Sequence, residues 1–397
     1  MSKKHGDVFS LWFGSRLAVV ISSPTAFQEC FTKHDVILAN RPKNLSGKHI
    51  FYNYTTVGSC SYGEHWRNLR RIVATDVLSS QRILSFSGIR KDETHRLVQK
   101  LAKDSSSEFA PVELTSTFRD MTYNNMMRMI AGKRYYGEDS ELKDVDEAKE
   151  FRETVTELLK LAGVSNKADY LPFLKWFDFE GLNKKLTTTH KRFDVFAMLF
   201  AGTDSSGATL EWAFCNLLNN PEVLKKAKDE LDTQIGQDQL LNEADLPKLP
   251  YLKYIVQETL RLYPPAPLLI PHVSSEDITV EGFNIPSDTL VIVNGWGMQR
   301  DPKFWSDATS FKPERFEKEG EEKKLIAFGL GRRACPGEFM AMHGVSFTLG
   351  LLIQCFDWKR VSAEEIDMEE QTWFNLTKLL PLKAMCKTRP VVNKNLK

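Results

Sequence analysis

Residues 328–337 read Phe-Gly-Leu-Gly-Arg-Arg-Ala-Cys-Pro-Gly and lead into Glu338–Phe356, a segment apolar on nearly every face. This junction constrains the fold more than any other part of the chain. A helix without a polar face has to be buried, so other helices must surround it. Cys335 then sits at the mouth of that helix, between Gly331 and Gly337 and just after a basic pair. A thiolate there is favoured by the helix dipole and by Arg333. The glycines admit positive φ and let backbone N–H groups approach sulfur. An isolated cysteine is more often an inert core residue. Phe328, Gly331, Arg333, Cys335 and Gly337 together turn that reading toward a metal-ligating thiolate.

The chain has 397 residues, of which 42% are hydrophobic and 26% charged, an ordinary soluble composition. Its 53 Lys+Arg against 52 Asp+Glu give a net charge of +1, which points to no nucleic-acid partner. The 6 cysteines are scattered without a Cys-x-x-Cys pair. That argues against a zinc site and a disulfide scaffold, and fits a reducing compartment. No apolar run reaches the roughly eighteen residues of a membrane span.

Val8–Phe13 and Arg16–Ile21 are strand-like runs around Gly14-Ser15, which predicts a tight hairpin. From about residue 64 to 163 the chain reads as helices with polar turns, and 171–182 as a loop. Ala197–Leu218 is a long apolar-periodic helix; Asn220 and Pro221 then supply the cap and first position of the next. Leu249, Leu252, Ile255, Val256 and Leu260 form one helical stripe. Asp277–Gly282 and Asp288–Asn294 read as short strands. The fold class is mainly α with a minor β part.

Several groups of polar residues stand out from this background. Glu258 and Arg261 share a helical face, and alone they read as a surface ion pair. Arg315, in Pro-Glu-Arg-Phe twenty residues before Cys335, can join them in a buried network that locks the cysteine loop. Within the long helix, Gly202 and Gly207 among hydroxyl residues predict a local distortion that opens a groove. Asp204 and Ser205 place an acid beside an alcohol there, a proton relay if the rest of the site is present and a helix cap or loop otherwise. Trp66 and Arg70, at i and i+4, can both donate to a carboxylate, although a solvated basic face is the simpler reading. His272, after a Pro-rich stretch, is a weaker third donor.

Taken in order, these motifs resemble the cytochrome P-450 superfamily of heme-thiolate monooxygenases. The wording of Ser61–Arg71, Leu210–Lys226 and Ile326–Gly337 is similar to plant microsomal members, most of all to the isoflavone hydroxylase group. The resemblance implies one cytochrome P-450 domain over 1–397, with heme b between the long helix and the Cys335 loop. It implies Cys335 as the axial ligand, an anionic sulfur that favours O–O cleavage. Phe328 and Gly337 complete the heme loop, and Trp66, Arg70, His272 and Arg333 hold the propionates. Asp204 and Ser205 serve proton delivery to dioxygen, and Glu258, Arg261 and Arg315 form the structural triad. Ala201, Leu268, Leu269 and Phe374 contact a small hydrophobic aromatic substrate. Electrons come from NADPH through a cytochrome reductase docking near the Cys335 face. The resemblance further implies the cytosolic face of the endoplasmic reticulum membrane, with this chain soluble or peripheral because it begins beyond the family's anchor and Pro-rich hinge.

Two further departures shape the expectations. Ser205 stands where most members have Thr; losing the β-branch loosens its rotamer and predicts more uncoupled peroxide. His190–Phe196 resembles the start of one family helix and Ala197–Phe200 the middle of another, so roughly fifty residues are expected to be missing near 196/197. Those residues form part of the distal helices that roof the substrate pocket. Two other readings follow: a non-catalytic truncated remnant or splice form, or an isomerase or dehydratase that needs no dioxygen. The Asp204-Ser205 pair speaks against the second.

Overall fold

Every residue from Val345 to Cys355 is buried, as the unbroken apolar character of that helix requires. The computed structural model describes residues 1–138, 142–162, 167–171, 173–174, 196–372 and 375–396. Its principal helices, in chain order, are α1 (Glu64–Ile72), α2 (Ser87–Asp104), α3 (Thr115–Ala131), α4 (Val145–Ala162), α5 (Phe196–Asn219), α6 (Pro221–Gln234), α7 (Pro250–Leu262) and α8 (Glu338–Cys355).

Helix α5 runs through the centre, against α3 on one side and α7 and α8 on others. Leu210, Ala213, Phe214 and Leu217 of α5 meet Phe118 and Met121 of α3, Leu252 and Ile255 of α7, and Phe347 and Leu351 of α8 in one continuous core. Trp212 is fully buried and stacks on Tyr263 at 4.1 Å, its indole N–H donating to the Leu376 carbonyl at 3.1 Å.

The hairpin forms with the predicted bounds. Strands β1 (Val8–Phe13) and β2 (Arg16–Ile21) pair antiparallel, with Phe13 opposite Arg16. Gly14 takes φ 57°, where a Cβ would collide with the Tyr170 carbonyl. Three more strands are β3 (Ala110–Glu113), β4 (His272–Val273) and β5 (Leu290–Val293). The first sheet has the order β1-β2-β5-β4, so His272 enters it beside Val291. Strands β6 (Phe356–Lys359) and β7 (Lys383–Thr388) join β3 in a second sheet of order β3-β7-β6, with β7 in the centre. Strand β3 lies inside the stretch read as purely helical. It is a short edge strand containing Pro111, recognisable only from its partner β7.

Two local expectations are corrected. Asn220 occupies the N-cap position and Pro221 follows it, but the Asn220 side chain donates back to the Asn216 carbonyl at 2.8 Å instead of capping α6. Helix α5 runs unbroken through Gly202 and Gly207. The glycines serve close packing on α3: a Cβ at Gly202 would lie 3.0 Å from Met126 Sδ, and one at Gly207 3.5 Å from Thr122 Oγ1. The neighbouring hydroxyls turn back onto carbonyls of their own helix, Ser205 to Ala201 at 2.6 Å and Thr209 to Ser205 at 2.8 Å. Of the predicted 171–182 loop only 171, 173 and 174 are described, and the resemblance at 190–195 lies outside the described residues.

No described helix is long and apolar enough to cross a membrane. Gly350 is tightly enclosed in the core, where a Cβ would come within 2.7 Å of both Leu241 Cδ2 and Leu252 Cδ2. Gly350→Val is therefore expected to cost about 1–3 kcal/mol of overpacking, measured by urea unfolding.

Candidate active site

The site is built from the loop before α8. Gly329 and Gly331 both take φ 72°, and the Cys335 amide donates to the Phe328 carbonyl at 2.8 Å, closing the loop. Asp35 anchors it from far away in sequence. Its carboxylate accepts from the Arg332 amide at 2.9 Å and pairs with the Arg332 guanidinium at 3.2 Å. A Cβ on Gly331 would collide with that carboxylate and approach the Phe31 carbonyl to 2.6 Å.

Cys335 keeps an exposed face, whereas the other five cysteines are buried. Burial of its inner side pushes the thiol above its ordinary value; the amides of Gly337 and Glu338 and the Arg70 charge pull it back. Gly337 caps α8, and a Cβ there would lie 3.8 Å from Sγ. The Phe328 side chain packs against the central core, so its contribution to the loop is the carbonyl that Cys335 binds.

Behind the loop stands the predicted charge network. Arg261 Nε donates to Glu258 Oε2 at 2.7 Å and Nη2 to Oε1 at 2.8 Å. Arg315 Nε reaches Oε1 at 3.0 Å, and the Lys312 amide donates to the same oxygen at 2.8 Å. The side chains of Glu258 and Arg261 are 0% exposed and that of Arg315 7%. Arg261 also donates to the carbonyls of Gln299 at 2.6 Å and Ala308 at 2.7 Å, which ties α7 to the segment leading to Cys335.

The predicted propionate donors lie near the loop, but their hydrogen bonds differ from expectation. The Trp66 indole N–H donates to the Val57 carbonyl at 3.1 Å, because the 50–63 segment folds over it; its single donor is not free for a carboxylate. Arg333 donates to three carbonyls, of Ala39 at 2.7 Å, Val57 at 3.0 Å and Cys60 at 2.5 Å, and covers the Trp66 ring at 4.6 Å. His272 is buried, with Nδ1 2.6 Å from the Leu38 carbonyl. A carbonyl only accepts, so Nδ1 carries the proton. Burial and Arg41 hold the ring neutral, which leaves Nε2 an acceptor without the expected donor.

Arg70 stands beside the loop, where its charge acts on Cys335. It lines an open cavity of about 320 Å³ with Trp66, Arg67, Gly331 and Arg332. One member of the cluster escaped the sequence reading: Arg41, buried beside His272, donates to the carbonyls of Ile270 at 3.0 Å and Pro271 at 2.9 Å. Its Nε is buried without a partner among the described residues, and burial together with Arg333 lowers its pKa to about 9. Arg41, Arg70 and Arg333 have no carboxylate partner among the described residues. Three under-neutralised guanidinium groups beside an exposed thiol fit heme b, with its two propionates and a position for an axial thiolate. Bound at Cys335, heme would supply the activation of dioxygen. Arg41, Arg70 and Arg333 would then neutralise its carboxylates, and the loop would keep the sulfur in register.

On α5, Ala201 is exposed and Ser205 half-buried on the helix's open side. Asp204 turns the other way, into the α3 interface, where the Tyr123 hydroxyl donates to it at 3.2 Å. Burial raises Asp204 to about 6. The acid and the alcohol are thus adjacent in sequence but sit on different faces. Leu268 is 47% exposed. Leu269 is corrected as a substrate contact: with φ 50° it turns inward and packs against the sheet core. Phe374 lies outside the described residues.

A buried mainly-α body with an exposed thiol at a helix mouth and unpaired cations around it defines a heme-thiolate enzyme. The family model for cytochrome P450 matches residues 1–181 and 165–386. The chain is 57% identical to isoflavone 2'-hydroxylase of Glycyrrhiza echinata, covering 99% of this chain and 88% of the relative. It is 53% identical to isoflavone 3'-hydroxylase of Medicago truncatula, covering 99% and 88%. It is 44% identical to a (+)-piperitol/(+)-sesamin synthase of Sesamum radiatum, covering 100% and 87%. A zebrafish cytochrome P450 solved with abiraterone superposes with a TM-score of 0.77 at 23% identity, covering 98% of each chain, and establishes the shared fold. The chain belongs to the cytochrome P450 family. It is a heme-thiolate monooxygenase that takes electrons originating in NADPH through a separate redox partner.

Two outcomes test this half of the site. Glu258→Gln leaves Arg261 buried without its counter-charge and is expected to cost about 3–5 kcal/mol, measured by chemical unfolding. Gly331→Ala, forced into positive φ and into Asp35, is expected to lower heme content per mole of protein severely, whereas Gly337→Ala, where a Cβ has 3.8 Å of room, lowers it far less.

Proposed function

We propose that this chain hydroxylates the aromatic ring of an isoflavone or a related phenylpropanoid, using O2 and electrons from NADPH–cytochrome reductase. The observation that carries the proposal is the identity of 57% and 53% to an isoflavone 2'-hydroxylase and an isoflavone 3'-hydroxylase, each over 99% of this chain. In this reading Cys335 is the axial ligand, and Arg41, Arg70 and Arg333 neutralise the propionates. Trp66 and His272 form the wall of that cradle, and Phe328 and Gly337 shape its loop. Ala201, Leu268 and Phe374 meet the substrate, and Asp204 and Ser205 serve proton delivery. Glu258, Arg261 and Arg315 act as the structural triad. The enzyme works at the cytosolic face of the endoplasmic reticulum membrane.

A second proposal concerns the shape of its one domain. The alignment to the Glycyrrhiza protein spans 437 positions against a chain of 397 residues, so at least 40 of those positions have no counterpart here. The family model also matches in two pieces that meet at 165–181. The first observation supports an internal shortening, and the second a break in the family pattern at 165–181; we place the shortening near 196/197, on the distal side. They also favour a second reading, in which the chain binds heme but is a remnant that no longer holds substrate.

One experiment separates the two readings. The chain is co-expressed with a plant NADPH–cytochrome reductase, and its reduced carbon-monoxide spectrum and its turnover of an isoflavone are recorded. A thiolate-type band with NADPH-dependent gain of one oxygen on the aromatic ring supports the hydroxylase. The same band with NADPH oxidation, peroxide and no hydroxylated product identifies the remnant. Absence of the band overturns both.

A further inference from the structure

The interface between α3 and α5 contains a buried polar group that heme binding does not use. Thr203 and Tyr123 are 0% and 1% exposed and face each other across the two helices. The Tyr123 hydroxyl donates to Asp204 Oδ1, 3.2 Å away, and the neighbouring Thr203 hydroxyl favours the tyrosine oxygen's negative form. Tyr136, from the segment after α3, closes the group with its ring centroid 5.2 Å from that of Tyr123. Arg119, one turn before Tyr123 on α3, is the cation that attracts Asp204. Ser205 points elsewhere, held to the Ala201 carbonyl at 2.6 Å. Successive residues of a helix are turned by about 100°, so Asp204 cannot satisfy Tyr123 and meet Ser205 in one rotamer.

We propose that Tyr123 is a positioning residue for the monooxygenase reaction: its hydroxyl parks the Asp204 carboxyl in the α3–α5 interface, away from Ser205, and governs when that acid joins proton delivery. The inference rests on the reading that Asp204 serves proton transfer. Thr203 orients the anchor, and the anchor is an uncharged hydroxyl. Release of the carboxyl therefore breaks a hydrogen bond without separating an ion pair.

The chemistry has a definite pH consequence. Burial raises Asp204 to about 6, and the hydrogen bond from Tyr123 and the charge of Arg119 act against that rise. An acid whose pKa is raised by folding binds more protons folded than unfolded. Stability is therefore lost as pH rises from the ordinary carboxylate value through about 6. Tyr123→Phe keeps the ring, removes the hydrogen bond, and moves the upper end of that window to higher pH.

The test uses the full chain with heme and redox partner. Peroxide formed per NADPH oxidised is measured across pH, and thermal unfolding of the same samples is measured across pH. For Tyr123→Phe, both inflections are expected to move up by about one pH unit, tenfold in proton concentration. Thr203→Val is expected to shift them in the same direction by less, and Asp204→Asn to abolish both. If Asp204→Asn abolishes them while Tyr123→Phe leaves them in place, the positioning role is overturned and the proton-transfer role of Asp204 stands. If Asp204→Asn leaves the peroxide profile unchanged, the acid is outside the proton path and the inference falls with the reading beneath it.

Discussion

The carboxylate of Glu258 is the point on which the rest of the structure depends. It lies at 0% exposure and accepts from Arg261, Arg315 and the amide of Lys312. Removing such charges from water costs several kcal/mol per ion, and only dense hydrogen bonding offsets it. Arg261 supplies that density by also binding the carbonyls of Gln299 and Ala308. The arrangement satisfies these groups only when α7 and the 299–315 segment are in one relative position. The loop that follows, and with it Cys335, inherits that position. The network's value lies in specifying a geometry more than in adding stability.

In front of the network the electrostatics are reversed. Around Cys335, Arg41, Arg70 and Arg333 lack carboxylate partners among the described residues, and burial lowers the pKa of all three. A protein that pairs its cations so completely behind the loop and leaves them unpaired in front has a reason at the front. A dianionic cofactor would answer it: each propionate would offset the loss of hydration that burial imposes on the guanidinium groups. Asp35 completes the logic by holding Arg332 and the loop from the opposite side.

The distal half follows a different principle. Helices α3 and α5 approach closely because Gly202 and Gly207 lack side chains where Met126 and Thr122 lie. That closeness draws Asp204 into the interface with Tyr123 and leaves Ala201 and Ser205 on the open face. The glycines therefore divide α5 into a packed side and an open side, and the acid and the alcohol fall on opposite sides of that division.

Much of this was legible in the residue order. The apolar run of α8 dictated a buried central helix, because no face of it can meet water. Gly14-Ser15 dictated the hairpin, because its turn requires positive φ. The decapeptide ending at Gly337 named the thiol, and Glu258 with Arg261 named half of the network through a spacing of three. Asp35 and Arg41 were not legible: they meet partners 297 and 229 residues away, and no local period encodes such distances. Strand β3, the donors of Trp66 and His272, and the inward turn of Leu269 were likewise decided by what packs beside them. The sequence by itself determined which chemistry the chain carries, because reactive groups and backbone permissions are local properties. Only the tertiary structure decided which donors remain free and which way Asp204 turns, because hydrogen bonds are allotted by proximity in space.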